Sequence, residues 1–381
     1  MGKKIMIVTG EASGDMHGSN LVRALQQRYC ELEFYGMGGP ELSSSGVDIL
    51  FDADKVSVVG IFEVFSHLGD IYRAQKILRK KLASDPPDLL VLIDLPDFNL
   101  LLAKKAKKLG IPVFYYICPQ VWAWRTGRIK TLKKRADKFG VILPFEETYF
   151  KERGLNATYV GHPLLDSVCR TKTREQFLDE HNVSPETKVI GLLPGSRKRE
   201  VSSLLPIFLE AAAQLERAVN NKLVFVIPKA SSIDIRLFKE AGVGRNKNID
   251  VRIIEGDRYN LMAACDCVVA ASGTVTLELA LLKTPMVVTY KFSPLTYSLA
   301  KRLVKLEHFS LVNLIAGFTV VPELLQDEVE GQTICDELAM LLNVYQKNKM
   351  MRSGLDLVNN RLGTKGASSR AADVVIEMLN T

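Results

Sequence analysis

The sequence predicts an α/β protein built from two parallel-sheet domains, and three observations carry that expectation. Strand-like and helix-like segments alternate through most of the 381 residues. The strand-like segments are continuous apolar runs closed by turns, the mark of strands covered on both faces. The chain is long for one domain and comfortable for two. Its composition, 47% apolar and 24% charged, is that of a folded globular protein with a full core in each half.

In the first half, residues 4–9 form a strand, and residues 10–18 turn into a helix near 15–27. Residues 33–36 and 89–93 follow as strands, the latter leading through Leu95-Pro96-Asp97 into a helix that runs to Leu109. Residues 112–117 and 139–143 repeat the pattern. The polar stretch 170–187 carries a helix at 173–181 but no strand, and it places the domain boundary. The first domain is then 1–168, the second 169–345, and the helical, polar residues 346–381 form a tail. In the second domain, 188–193, 223–227, 250–254, 267–271 and 286–289 read as strands with helices between them. Ser368 or Ser369 is the expected cap of a last helix. Both halves are thus Rossmann-like. No apolar run reaches the length of a membrane span. Met1-Gly2-Lys3-Lys4-Ile5 enters a strand at once, so no signal peptide is expected. The six scattered cysteines read as reduced core thiols rather than a disulfide or metal framework.

The net charge of +7 is unevenly spread. Lys104, Lys105, Lys107, Lys108, Arg125, Arg128, Lys130, Lys133, Lys134, Arg135 and Lys138 are opposed only by Asp137 within their run. They form either solvated helix faces or a surface for an anionic membrane or phosphate. No nucleic-acid-binding motif accompanies them, so no nucleic acid is expected as a partner.

Two turns in the second half suit an anion. Leu193-Pro194-Gly195-Ser196-Arg197 and Ala271-Ser272-Gly273-Thr274 each end an apolar strand and start a helix. Such a turn aims backbone N–H groups and the positive helix end at phosphate. Arg197 can grip a diphosphate bidentately and stabilise charge on a departing nucleotide. Ser272, Gly273 and Thr274 offer hydroxyl and backbone donors, and Gly273 permits close approach. Glu278 stands among leucines and needs a partner, such as a ribose.

In the first half, Gly10-Glu11-Ala12-Ser13-Gly14-Asp15 is a strand-end turn with more acid than a helix cap requires. In Ile93-Asp94-Leu95-Pro96-Asp97-Phe98-Asn99, Asp97 is the expected N-cap, which leaves Asp94 as a candidate general base. Trp122 and Trp124, beside Arg125 and Arg128, form either core packing or a sugar- or lipid-contacting wall. His162, in Gly161-His162-Pro163, is either a ligand group or a structural histidine. Residues 56–65 form either core or an apolar patch for a bilayer or acyl chain.

In this order, the segments Gly10–Asp15, Ile93–Asn99, Pro119–Arg125, Leu193–Arg197, Ala271–Thr274 and Ser310–Gly317 resemble the lipid-A-disaccharide synthases over nearly the whole chain. Cys118 stands where that family usually has Ser, and Val312 where it usually has Pro; the polar positions are intact. The resemblance implies an inverting GT-B glycosyltransferase of lipid A biosynthesis. Its two Rossmann-like domains would face a cleft, and its C-terminal helices would return to the first domain. The implied donor is UDP-2,3-diacylglucosamine and the acceptor 2,3-diacylglucosamine 1-phosphate. Asp94 is the implied base, with Glu11 and Asp15 as alternates or positioners, and Arg197 serves the leaving diphosphate without metal or cofactor. The nucleotide side takes Gly195, Ser196, Arg197, Ser272, Gly273, Thr274, Glu278, Asn313, Glu323 and Gln326. The acceptor side takes Ser13, Asp15, Asp97, Asn99, Trp122, Trp124, Arg125 and His162. Val58, Val59, Ile61, Phe62 and Phe65, with the basic run, imply peripheral attachment to the inner face of the cytoplasmic membrane. A homodimer that exchanges its C-terminal helices is also within the family's range. The Ser-Gly-Thr…Glu pattern is shared with two other GT-B activities, transfer of GlcNAc to lipid-linked muramyl pentapeptide and UDP-GlcNAc 2-epimerisation. Enzymes of those kinds lack Glu-Ala-Ser-Gly-Asp and Trp-Ala-Trp. A non-catalytic, membrane-associated nucleotide-binding protein is the reading from a different class.

Overall fold

A computed structural model describes residues 2–29, 31–56, 68–123, 126–230, 233–291 and 307–380. The chain divides into two compact units, Met1–Leu165 with Thr364–Thr381, and Asp166–Gly363.

In the first unit, seven parallel strands lie in the order β3-β2-β1-β4-β5-β6-β7. They are β1 (Lys3–Val8), β2 (Leu32–Gly38), β3 (Asp48–Asp52), β4 (Leu89–Ile93), β5 (Val113–Tyr116), β6 (Lys138–Val141) and β7 (Ala157–Tyr159). Successive side chains alternate between the two faces. Ile5, Ile7, Leu89 and Val91 pack in the core that includes the last helix, Ala367–Leu379. Met6, Val8, Leu90 and Leu92 pack in the core on the other face, where the helices Leu68–Ser84, Pro96–Lys108 and Ile129–Arg135 contribute. Strands covered twice are apolar at every position, and β4 is fully buried throughout. The strand order reverses between β1 and β4, whose ends align at Val8 and Leu92. The turns after these two strands are therefore neighbours at the carboxyl edge, the place where open parallel sheets bind ligands.

The second unit repeats this logic with six parallel strands in the order β10-β9-β8-β11-β12-β13. They are β8 (Lys188–Leu193), β9 (Leu223–Lys229), β10 (Val251–Glu255), β11 (Cys267–Ala271), β12 (Met286–Tyr290) and β13 (Glu323–Leu325). Here the switch falls between β8 and β11, where Leu193 pairs with Ala270. The two phosphate-friendly turns thus lie side by side.

Several boundaries differ from the sequence reading. The polar stretch after Asp166 belongs to the second unit. Thr171 and Lys172 donate backbone N–H groups to Asn260 Oδ1 at 2.8 and 3.0 Å, and Arg174 pairs with Asp266 at 2.9 Å, all inside the second unit. The tail also divides. Tyr345–Leu362 packs on Leu311–Ala316, Thr274–Leu281 and Gly331–Asn343 in the second unit, and only Ala367–Leu379 lies on Ala12–Gln26 in the first. That last helix starts after Gly366 (φ 98°), not at a serine cap; the Ser369 hydroxyl meets Arg28 instead. Cys118, Cys265, Cys267 and Cys335 are free and buried. Among the described residues, no helix is long and apolar enough to cross a membrane.

Candidate active site

The carboxyl edge of the first unit gathers three acids from three strand ends. Asp94 follows β4 with φ 50°, and Leu95 continues with φ 44°. Two successive left-handed non-glycine residues store about 1–3 kcal/mol each, which the surroundings must offset. They do so with a built brace. The Asp94 carbonyl accepts from the Tyr115 hydroxyl and from Asn99 Nδ2, both at 2.7 Å. Leu95 is wedged against the neighbouring turn, where a Cβ on Gly10 would come within 2.5 Å of it. The result aims the Asp94 side chain away from its strand direction, beside Glu11. Burial first, and then the Glu11 carboxylate, lift the Asp94 pKa to about 6. Glu11 is the N-cap residue of Ala12–Gln26, but its side chain makes no cap bond. The third acid, Glu146, is one that no sequence motif points to. It is 1% exposed in the first turn of Pro144–Lys151, and burial lifts it to about 7. Its carboxylate accepts from Trp122 Nε1 and Leu143 N, both at 2.9 Å, and from Ile142 N at 3.2 Å.

Several acceptor-side residues have partners within the protein. Asp15 is a structural cap. Its carboxylate accepts from the N–H groups of Gly39 (2.7 Å), Glu41 (2.9 Å) and Leu42 (3.3 Å) at the start of Pro40–Ser44. Asn99 is fully buried, and its amide holds the Asp94 turn. Asp97 is not the N-cap, a place taken by Leu95; it pairs with Arg128. His162 is buried, and its Nδ1 accepts from Leu164 N at 3.2 Å. Burial and the adjacent His17 push its pKa down to about 3. Trp122 is half-buried, its ring T-shaped to Phe145 at 4.9 Å between centroids, so part of it serves packing. Ser13 is exposed at the first turn of its helix. Trp124, Arg125, Val58, Val59, Ile61, Phe62 and Phe65 lie outside the described residues.

In the second unit, the β8 turn bends at Gly195 (φ 106°) and opens the helix Lys198–Ala218, with Arg197 as N-cap residue. An anion already sits on it. Glu200 Oε2 accepts from Ser196 N at 3.2 Å and Arg197 N at 3.3 Å, and Oε1 pairs with the Arg197 guanidinium at 3.3 Å. After β11, Gly273 adopts φ 156°, ψ −163°, a region essentially reserved for glycine. A Cβ there would meet no protein atom within 4 Å, so backbone conformation and not internal crowding demands glycine. Thr274 is exposed beside it, whereas Ser272 N is used by Thr289 O at 2.8 Å.

Glu278 has a partner inside the chain. Arg258, opening the preceding helix Arg258–Ala264, donates to its Oε1 at 2.8 Å. Burial still raises the Glu278 pKa, with the Arg258 charge opposing. Asn313 and Glu323 brace one another and the neighbouring backbone. The Asn313 amide donates to Val321 O (2.9 Å) and Glu323 Oε1 (2.8 Å) and accepts from Val320 N and Val321 N. Glu323 also accepts from Phe309 N and Ser310 N. Gln326, at φ 55°, turns the chain after β13. The metal-like trio Glu180, His181 and Asp257 is tied by the Lys172 ammonium, at 2.5 Å from Glu180 and 2.8 Å from Asp257.

A family model described as lipid-A-disaccharide synthetase matches residues 5–375. The chain belongs to the lipid-A-disaccharide synthase family. Curated lipid-A-disaccharide synthases from Geobacter sulfurreducens and Myxococcus xanthus are 45% and 42% identical, each across 99% of this chain and 97% of their own length. The synthase from Nitrosococcus oceani is 40% identical across 98% and 96%. Solved structures share the fold at low identity. UDP-GlcNAc 2-epimerase from Neisseria meningitidis gives a TM-score of 0.63 at 13% identity, covering 99% of both chains. The calicheamicin glycosyltransferase CalG4 gives 0.61 at 16%, covering 100% of this chain and 98% of that one. The two-sheet architecture is thus common to epimerases and transferases, and family membership separates them.

Proposed function

We propose that this protein transfers 2,3-diacylglucosamine from UDP to 2,3-diacylglucosamine 1-phosphate, giving the β-1,6-linked disaccharide 1-phosphate and UDP. The observation that carries the reading is a family match over nearly the full chain with both switch-point edges intact. One in-line displacement inverts the sugar and needs a single base. Asp94 suits that role: burial and the neighbouring Glu11 lift it toward neutrality, against one backbone hydrogen bond from Leu95, and its carbonyl is held by Tyr115 and Asn99. Glu11 places a second carboxyl group beside it. On the other sheet, Arg197 and the N–H groups of its turn suit the departing diphosphate.

Membrane contact fits the outer face of Pro96–Lys108. Leu101 and Leu109 are 46% and 40% exposed there, interleaved with exposed Lys104 and Lys108. Leu101, Lys104 and Lys108 are three, four and seven apart and share a helix face that ends at Leu109, so the surface is both basic and apolar, suited to an anionic bilayer. The rest of the basic run is partly neutralised: Lys107 pairs with Asp137 and Lys138 with Glu377. Attachment is therefore peripheral, and exchange of the last helix between two chains would join protomers through the Ala12–Gln26 surface.

The test is product analysis of the purified protein with both lipid substrates in anionic phospholipid vesicles. Disaccharide 1-phosphate and UDP are expected in equal amounts, with the protein sedimenting with the vesicles. Epimerised UDP-GlcNAc, or UDP binding without disaccharide, overturns the assignment. Protein left in the supernatant at low salt removes the membrane contact, and a one-chain mass in solution removes the exchanged dimer.

A further inference from the structure

The Arg197 turn contains an acid where the proposed ligand is also acidic. Glu200 lies three residues into the same segment, yet its carboxylate folds back across Gly195. A Cβ on Gly195 would collide with Glu200 Oε2. The two carboxylate oxygens take the Ser196 and Arg197 N–H groups and the Arg197 guanidinium. These are the donors that a diphosphate would use. Tyr290, at the end of β12, has its pKa raised first by burial and then by Glu200, with Arg197 opposing. The pair is solvent-accessible, with the Arg197 side chain 57% and the Glu200 side chain 33% exposed.

We propose that Glu200 is an internal surrogate for the diphosphate, which holds the turn in its anion-binding shape and is displaced when the nucleotide enters. This rests on the assignment of UDP to the Arg197 turn. Two consequences follow from the geometry. The turn stays organised between turnovers, because its donors are satisfied and the guanidinium is held. Nucleotide affinity is also reduced, because binding must break the Arg197–Glu200 pair and leave a carboxylate near the phosphates. An enzyme that must release UDP gains from this competition. Glu200 acts through Arg197, so it is a positioning residue and not a catalytic one.

Glu200→Gln separates charge from shape. Glutamine can still accept from the two N–H groups in a capping box, but it carries no charge. UDP binding is measured by titration calorimetry on the full chain, for wild type, Arg197→Ala, Glu200→Gln and the double variant, each checked for an unchanged melting temperature. The expected result is about tenfold tighter UDP binding by Glu200→Gln, with kcat and KM falling together as release slows. That gain should shrink in the Arg197→Ala background. Unchanged or weaker UDP binding by Glu200→Gln, while Arg197→Ala also weakens it, overturns the surrogate role and makes Glu200 a plain cap or a ligand contact. Unchanged binding by Arg197→Ala overturns the underlying placement of UDP instead. If Glu200→Gln melts early, Glu200→Ala in the same titration decides: tighter binding supports the proposal, and weaker binding rejects it.

Discussion

At the scale of single residues, Asp94 differs from other carboxylates of the chain in what its backbone does. The left-handed Asp94-Leu95 pair is held by Tyr115 and Asn99 through the Asp94 carbonyl, not its carboxylate. The side chain is thereby left desolvated beside Glu11, with a pKa of about 6. A base must be ionised, so kcat/KM should rise with pH through about 6 and level off above it. Asp94→Asn should lower kcat by roughly 10²–10⁴-fold while UDP still binds. Glu11→Gln removes the like charge, so the acidic limb should move to lower pH. A limb that stays in place in Glu11→Gln would show that Glu11 does not act on the base. Asp94 and Arg197 can be singled out from the sequence because each follows an apolar strand at a turn. Glu200 and Glu146 cannot, because a first-turn glutamate looks like any helix cap until its partners are known.

At the scale of elements, legibility follows burial. The central strands β4, β8 and β11 are legible with their observed limits, since a strand covered on both faces is apolar at every position. The edge strands β3, β7 and β13 are not; they are three to five residues long and partly exposed. Side-chain partners far apart in sequence are also hidden. Asp15 reaches Leu42, and Glu278 reaches Arg258, across loops that no local pattern encodes. Asn313 is the sharpest case, since the sequence gives no sign of the brace it forms with Val320, Val321 and Glu323. Asn313→Ala would strand the Val320 and Val321 N–H groups and loosen Glu323, at a cost of about 3 kcal/mol. For a unit of this size that is a fall of roughly 6–12 °C in melting temperature, measured by calorimetry. At 25 °C the UDP Kd should stay within about twofold of wild type. A variant that melts normally but no longer binds UDP would return Asn313 to the nucleotide site.

At the scale of the whole molecule, the first unit holds two histidines, His17 and His162, and two acids, Asp94 and Glu146, whose proton linkages oppose. Burial pushes His17 down to about 4, and burial with His17 pushes His162 down to about 3. Unfolded histidines titrate near 6.5, so between that pH and 4 the unfolded state binds more protons and acid destabilises the unit. Asp94 and Glu146 are lifted to about 6 and about 7. Over pH 4.5 to 6 the folded state holds their protons instead, and acid stabilises it. The two effects nearly cancel, so these four groups should give a flat stability profile in that window. Glu146→Gln removes one opposing acid and exposes the slope. Wild type should gain on the variant by about 1.4 kcal/mol per pH unit as pH falls from 7 to 4.5, on the order of 3 kcal/mol in all. Both tryptophans of the chain, Trp122 and Trp124, belong to the first unit, so their fluorescence in urea follows that unit alone. Parallel pH profiles for the two proteins would mean that Glu146 is ionised in its pocket. Its bonds to Trp122, Ile142 and Leu143 would then outweigh its burial.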